Sequence, residues 1–359
     1  MWILPAAPFF GFEQSLFRLS CLWRSHRSSL PKFRLFATVG GQSFACVMAG
    51  VLMLGTGINR VSAETSPVPV ECVRTFGIEP EVRVRIDAPA DDQAKGKALL
   101  VFYALPNGNS IEETVGKKSS NTNEWRHEIQ HIGAQTRFLR KMLPDTPLTV
   151  AYLEAAQKSW PAWRKKHGND AVRQVFKNVI VNSGLTGADI VLNGHSGGGS
   201  FIFGLINAHS EIPSNIVRIA FLDSNYAYDR EAGHREKLLK WLQNTNSFLC
   251  VLAYNDAAAL YNGKPFVSAA GGTWGRSHAM WKDMSEEIEF KEQRAGDMLH
   301  VSALNGRAQF FLLENPRRAI LHTVQVERNG FIHSILTGTR QENQGYVYYG
   351  ERAWKYRLD

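Results

Sequence analysis

The sequence predicts an α/β fold with a mostly parallel central sheet, helices on both faces, and a hairpin insertion near the C-terminus. Three observations predict it. Short apolar runs such as Ala98–Leu105 and Phe248–Ala253 lack the alternation of a half-exposed strand, as strands buried on both faces do. Longer amphipathic stretches separate them, so strand and helix alternate along the chain. No internal repeat, low-complexity tract or long Pro/Gly/Ser linker divides residues 64–359, which reads as one domain.

The elements follow in order. Val82–Ile86 alternates like an edge strand, and the apolar run Ala98–Leu105 comes next. Glu124–Met142 has helical period, with Ile129, Ile132, Thr136 and Leu139 on one face and Arg137 and Arg140 turned to solvent. Leu148–Leu153, Ile190–Leu192, Val217–Leu222 and Phe248–Ala253 read as strands. Asp170–Val181, Ser200–Ala208 and Glu231–Leu242 read as the helices between them. Met298–Leu304 and Ala308–Leu313, joined at Asn305-Gly306, read as the hairpin. Ala319–Val326 reads as a last long strand with His322 packed inside it.

Composition narrows the class. At 44% hydrophobic and 11% aromatic residues the chain buries a sizeable core, which excludes a disordered protein. Of the formal charge of +8, most lies in residues 1–63, which hold six basic residues and one acidic one. The remaining 35 basic and 32 acidic residues give no argument for nucleic acid. Residues 1–63 read as an export signal: a basic region ending near Arg34, the apolar stretch Phe44–Leu54, and small residues in Val61-Ser62-Ala63. Cleavage is expected after Ala63, giving a secreted or periplasmic protein; an uncleaved membrane anchor is the alternative. Cys21 and Cys46 would leave with the leader, and Cys250, inside an apolar run, reads as a buried free thiol rather than a partner for Cys72.

The most informative stretch is Ile190-Val-Leu-Asn-Gly194-His195-Ser196-Gly197-Gly198-Gly199-Ser200. A G-x-S-x-G between a buried strand and a helix places the serine on a sharp turn that lifts its hydroxyl above the sheet. The Gly197 amide and the helix N-terminus then face the place where an oxyanion forms. The glycine and lysine spacing of a phosphate-binding loop is absent.

In these residues the chain resembles the α/β-hydrolase superfamily, over most of residues 80–340. The resemblance implies a Ser–His–acid triad in that chain order. It places Ser196 as nucleophile and His333, in Asn329-Gly-Phe-Ile-His333 after the last strand, as base. The acid is Asp256, at the commoner seventh-strand position, or Asp223, at the end of the preceding strand. The second oxyanion donor belongs to the loop Asn107-Gly108-Asn109, which departs from the His-Gly pattern of lipases. His195, at the variable position of the motif, borders the site and points away from the reacting carbonyl. The expected activity is hydrolysis of a small-acyl or carbohydrate-linked ester, without metal or organic cofactor.

A second motif competes. His127-Glu128-x-x-His131 has the zinc-metallopeptidase spacing, which puts two imidazoles one helical turn apart with a carboxylate beside them. The extended form with a further glycine and histidine is absent, so no metal ligand is expected. A non-catalytic binding module on the same scaffold is the other alternative. Trp160 and Trp163, followed by basic residues, read as a helix start or as an aromatic platform for a sugar. Gly271–His278 reads as a loop with a Thr cap near the cleft rim.

Overall fold

The computed structural model describes residues 71–90, 96–244, 246–265, 267–268 and 271–358; the leader and the cleavage point after Ala63 lie outside them. The strands are β1 (Glu71–Ile78), β2 (Val82–Pro89), β3 (Leu99–Ala104), β4 (Leu148–Ala155), β5 (Asp189–His195), β6 (Ile216–Leu222) and β7 (Phe248–Tyr254). A small ladder, β8 (Leu260–Tyr261) with β9 (Lys264–Pro265), precedes β10 (Lys291–Ala295), β11 (Met298–Ala303) and β12 (Ala308–Leu313). Ten of them form one sheet in the order β1-β2-β4-β3-β5-β6-β7-β12-β11-β10. The six central strands, β4 through β12 in that order, are parallel; the outer pairs at both edges are antiparallel.

The helices are α1 (Ile111–Val115), α2 (Ile132–Met142), α3 (Trp160–Ser183), α4 (Gly199–Asn207), α5 (His234–Leu242), α6 (Gly272–Met284) and α7 (Phe331–Leu336). They cover both faces because the central strands are apolar on both. In β5, Ile190 and Leu192 pack with Phe176 of α3, Phe201 of α4 and Leu238 of α5, whereas Val191 packs with Leu139 of α2 and Ile335 of α7. Trp160 and Trp163 are buried at the start of α3, and the Trp160 indole N–H donates to the Leu153 carbonyl at 3.1 Å. They are packing residues, so they offer no sugar platform.

Several expectations change. β11 and β12 pair antiparallel, but β12 also runs parallel beside β7 and is the last strand of the central sheet, so it is no decoration. The strand expected over Ala319–Val326 does not form. Asn315 takes a left-handed backbone (φ 57°), and its side chain binds both the N–H and the carbonyl of Ala319 at 3.0 and 2.9 Å, which turns the chain away from the sheet. The segment then passes through a turn at His322 and a π-helical turn, Val326–Gly330, into α7. The helix expected from Glu124 starts only at Ile132, after a separate 3₁₀ stretch, Thr122–Glu128. Cys72 is exposed on β1 and Cys250 is buried in β7; both are free thiols.

Arg137 and Arg140 do not face solvent. Both bind the Glu71 carboxylate, at 2.9 and 3.3 Å, and Arg140 also reaches Asp87 at 2.9 Å. The Arg140 and Asp87 side chains are 8% and 1% exposed, so this pair fastens α2 to the outer strands from within. Removing one partner strands the other charge away from water. Arg140→Ala is expected to cost about 3 kcal/mol or more, read as a lower urea midpoint at unchanged m-value.

Candidate active site

The C-terminal ends of the parallel strands carry the site. β5 ends at His195, and Ser196 follows with φ 53°, a left-handed backbone for a residue with a Cβ. A 3₁₀ turn, Ser196–Gly198, leads straight into α4. Bare backbone is needed on three sides of this turn. A Cβ on Gly194 would sit 2.8 Å from the Gly198 carbonyl carbon, one on Gly198 would sit 2.1 Å from the Ala104 carbonyl oxygen, and one on Gly199 1.9 Å from that of Ser224. The G-x-S-x-G pattern reports the first two; the third is a contact between β5's turn and β6's end that the motif does not encode. Ser224 reinforces it by donating its hydroxyl to the Gly194 carbonyl at 2.8 Å.

Asp223 follows β6 in the same left-handed conformation (φ 46°), and its N–H donates to the Leu252 carbonyl at 2.8 Å. Its carboxylate is fully buried, and Oδ2 lies 2.5 Å from Nδ1 of His322. His322 stands in the turn that replaces the expected last strand. Asn315 also donates its side-chain amide to the Asn255 carbonyl, and the Arg318 guanidinium donates to that of Ala258, so the segment carrying His322 is fastened to the loop after β7. The His322 ring lies over that of His195, centroids 4.8 Å apart, and His195 Nε2 is 3.3 Å from the His322 carbonyl oxygen. Asp223 and His322 thus pair at the strand ends where the Ser196 turn begins, His322 resting on the residue just before Ser196.

His195 is fully buried, with Nδ1 3.2 Å from Oε1 of Gln130, which in turn accepts from the Tyr103 hydroxyl. Burial, aided by His322, holds its pKa well below the usual histidine range, so it stays neutral. It braces the His322 turn from beneath.

His333 is elsewhere. It sits in α7 on one face of the sheet, stacked on Tyr348, edge-on to Phe311, with Nδ1 3.1 Å from the Tyr346 hydroxyl. The charged groups that act on it are His300 and Arg218. Arg218 is the third residue of β6 and Asp223 follows the strand's end, about 16 Å along it at ~3.3 Å per residue. Among the described residues no carboxylate contacts His333, and the histidine that a buried carboxylate holds is His322. The cause lies in strand counting: once β12 is a central strand, the histidine after the last parallel strand is His322. Asn315-Pro316, directly after β12, was the signal that the strand had ended.

Asp256 does not touch an imidazole in the described contacts. It accepts the Thr273 N–H at 2.8 Å and the Trp274 N–H at 3.4 Å, capping the first turn of α6. The Thr273 hydroxyl donates to Oδ1 of Asp223 and lies 3.4 Å from Oδ2 of Asp256. Burial, and then the charge of Asp223, push the Asp256 carboxyl up to about 6. Thr273, expected as a plain cap, is therefore a bridge between the two carboxylates that sequence reasoning weighed as alternatives.

The loop after β3 lies against the turn: a Cβ on Gly197 would meet the Asn107 Oδ1 at 2.0 Å. The N–H groups of Gly108 and Asn109 are engaged, donating to the carbonyls of Lys158 and Pro106 at 2.8 and 3.4 Å. Asn109 is buried, with its side-chain Nδ2 unpaired among the described residues.

The His127–His131 motif does not take the zinc geometry. His127 lies in the 3₁₀ stretch and His131 has a left-handed backbone (φ 50°) just before α2, so the two imidazoles do not share one turn of one helix. His131 instead lies 3.2 Å from Glu128 and packs on Trp354. Among the described residues no group of three His, Cys, Asp or Glu side chains is placed to hold a metal ion.

No protein-family model matches the chain, and no curated protein matches it. Among solved structures it is similar to a thermostable esterase, at 14% identity over 75% of this chain and 64% of that one, TM-score 0.44. It is also similar to a feruloyl esterase module from Clostridium thermocellum complexed with sinapinate (11% identity, 74% and 85% covered, TM-score 0.42). A third is a CIB-like hydrolase from Thermoplasma acidophilum (10% identity, 74% and 95% covered, TM-score 0.39).

Two outcomes follow from this geometry. Gly198→Ala forces a methyl into the Ala104 backbone carbonyl, which is not the movable end of a side chain. It is expected to destabilise the fold by ~2 kcal/mol or more, measured by urea denaturation. His333, held neutral by burial with its pKa lowered to about 3, binds a proton more readily unfolded than folded. Its contribution is present above about pH 6.5 and is lost as pH falls toward 3. The urea midpoint is expected to drop over that range, with a shallower drop in His333→Phe.

Proposed function

We propose that the protein is a serine hydrolase that cleaves carboxylic esters, with Ser196 as nucleophile, His322 as general base and Asp223 as its orienting acid. The observation that carries this reading is the buried Asp223–His322 pair, 2.5 Å between Oδ2 and Nδ1, set beside a serine in a left-handed turn. With Nδ1–H held by the carboxylate, Nε2 is the basic nitrogen. It takes the hydroxyl proton as Ser196 Oγ bonds to the ester carbonyl carbon, and Asp223 stabilises the imidazolium that results. The carbonyl electrons move onto oxygen, which the Gly197 N–H stabilises at the N-terminus of α4. The Asn107 N–H is the assigned second donor, since the N–H groups of Gly108 and Asn109 are spent inside the loop. Collapse of the intermediate expels the alcohol, which receives the proton from His322. Water then repeats the sequence on the acyl-enzyme and frees the acid and the serine.

Ser196 is only 2% exposed, which favours a small acyl group over a bulky one; an alcohol that is a small molecule or a sugar fits the same reading. The chemistry calls for no metal or organic cofactor. Export under the leader of residues 1–63 belongs to the proposal, with membrane contact only if that leader stays attached.

A fluorophosphonate probe is expected to label the wild type but not Ser196→Ala. On a panel of p-nitrophenyl esters and acetylated sugars, His322→Ala is expected to lose about 10³-fold or more in kcat/KM. His333→Gln, tested beside it, should keep its activity per folded molecule. The reverse order for the two histidines, or labelling that survives Ser196→Ala, overturns the assignment. A binding module would give no labelling and no hydrolysis.

A further inference from the structure

We propose that Asp256 is a positioning residue for the proposed triad: it seats the first turn of α6 so that Thr273 fixes Asp223, and its negative charge supports protonated His322. The inference rests on the Ser196–His322–Asp223 reading and goes beyond it by giving the second buried carboxylate a task.

The geometry is a chain of contacts. Asp256 leaves β7 and receives the N–H groups of Thr273 and Trp274. Gly272 has φ 69°, and a Cβ there would lie 2.1 Å from Oδ2 of Asp256, so helix and carboxylate approach as closely as bare backbone allows. That docking delivers the Thr273 hydroxyl to Oδ1 of Asp223, while Oδ2 of Asp223 holds His322. Both oxygens of Asp223 are thereby engaged from opposite sides, and its rotation is fixed.

Asp223 and Asp256 are 0% and 2% exposed, so two carboxylates share one dry region. The titratable groups facing Asp256 are Asp223, His322 and the buried phenol of Tyr254, with the amides of α6 as the dipolar neighbours. When His322 accepts a proton, the imidazolium meets two negative charges rather than one. Neutralising Asp256 therefore makes His322 harder to protonate. As pH falls toward 6, where Asp256 itself takes up a proton, this support is withdrawn from the imidazolium.

The test is the rate of fluorophosphonate labelling of the full chain as a function of pH, with urea midpoints recorded for every variant. Asp256→Asn keeps an oxygen to cap α6 and removes only the charge. It is expected to label about tenfold more slowly at pH 8, with the acid limb of the profile moved down by about half a pH unit or more. Thr273→Val is expected to slow labelling about tenfold or more, and Thr273→Ser, which restores the hydroxyl, to recover most of it. A profile for Asp256→Asn that superimposes on the wild type overturns the proposal, as do losses that follow the urea midpoints alone or a Thr273→Ser no better than Thr273→Val. In those cases Ser196-dependent labelling of the wild type leaves the triad reading standing. Wild type that does not label brings down both.

Discussion

The turn at Ser196 exists because three stretches of backbone approach more closely than any side chain permits. Gly194 faces Gly198, Gly198 faces the end of β3, and Gly199 faces the residue after Asp223. This constraint ties the ends of β3, β5 and β6 into one unit before any catalytic group is considered. The left-handed backbones at Ser196 and Asp223 are its two outcomes, one turning the chain from β5 into α4 and the other burying a carboxylate at the end of β6. Strain at such positions persists only when the surroundings over-determine it, and here the surroundings are the sheet itself.

Around that unit the polar groups are placed by burial rather than by solvent. Asp223 is satisfied from both sides, by Thr273 and by His322, and Asp256 by the amides of α6. His195, kept neutral against His322, contributes shape without adding a positive charge to the site. The other buried histidine, His333, belongs to an aromatic cluster with Tyr346, Tyr348 and Phe311 and touches neither Asp223 nor Asp256 in the described contacts. Its burial gives stability a dependence on pH, through chemistry unrelated to the site.

Much of the fold was legible because strands buried on both faces leave continuous apolar runs, and the serine because its turn demands glycines at fixed spacing. The histidine that Asp223 holds was not legible, for a physical reason. Ala319–Val326 alternates like a strand, but a single left-handed Asn315 with its side chain folded back on Ala319 overrides that pattern. Reading β12 as part of an insertion shifted the histidine expected after the last parallel strand by one element, from His322 to His333. The choice between Asp223 and Asp256 had no local answer either, since both follow buried strands; of the two, Asp223 contacts His322 and Asp256 caps α6. Arg137 and Arg140 were read as solvated because their partner Glu71 lies in β1, far away in sequence, where periodicity carries no information.

The segment between β12 and His322 takes no part in the hydrogen-bond ladder of the large sheet and is held by side chains at Asn315 and Arg318. A strand transmits every inserted residue as a reversal of face, whereas a tethered arm of this kind absorbs it between its anchors. The reach of the imidazole is therefore decoupled from the register of the scaffold, and the two can diverge independently as sequences change.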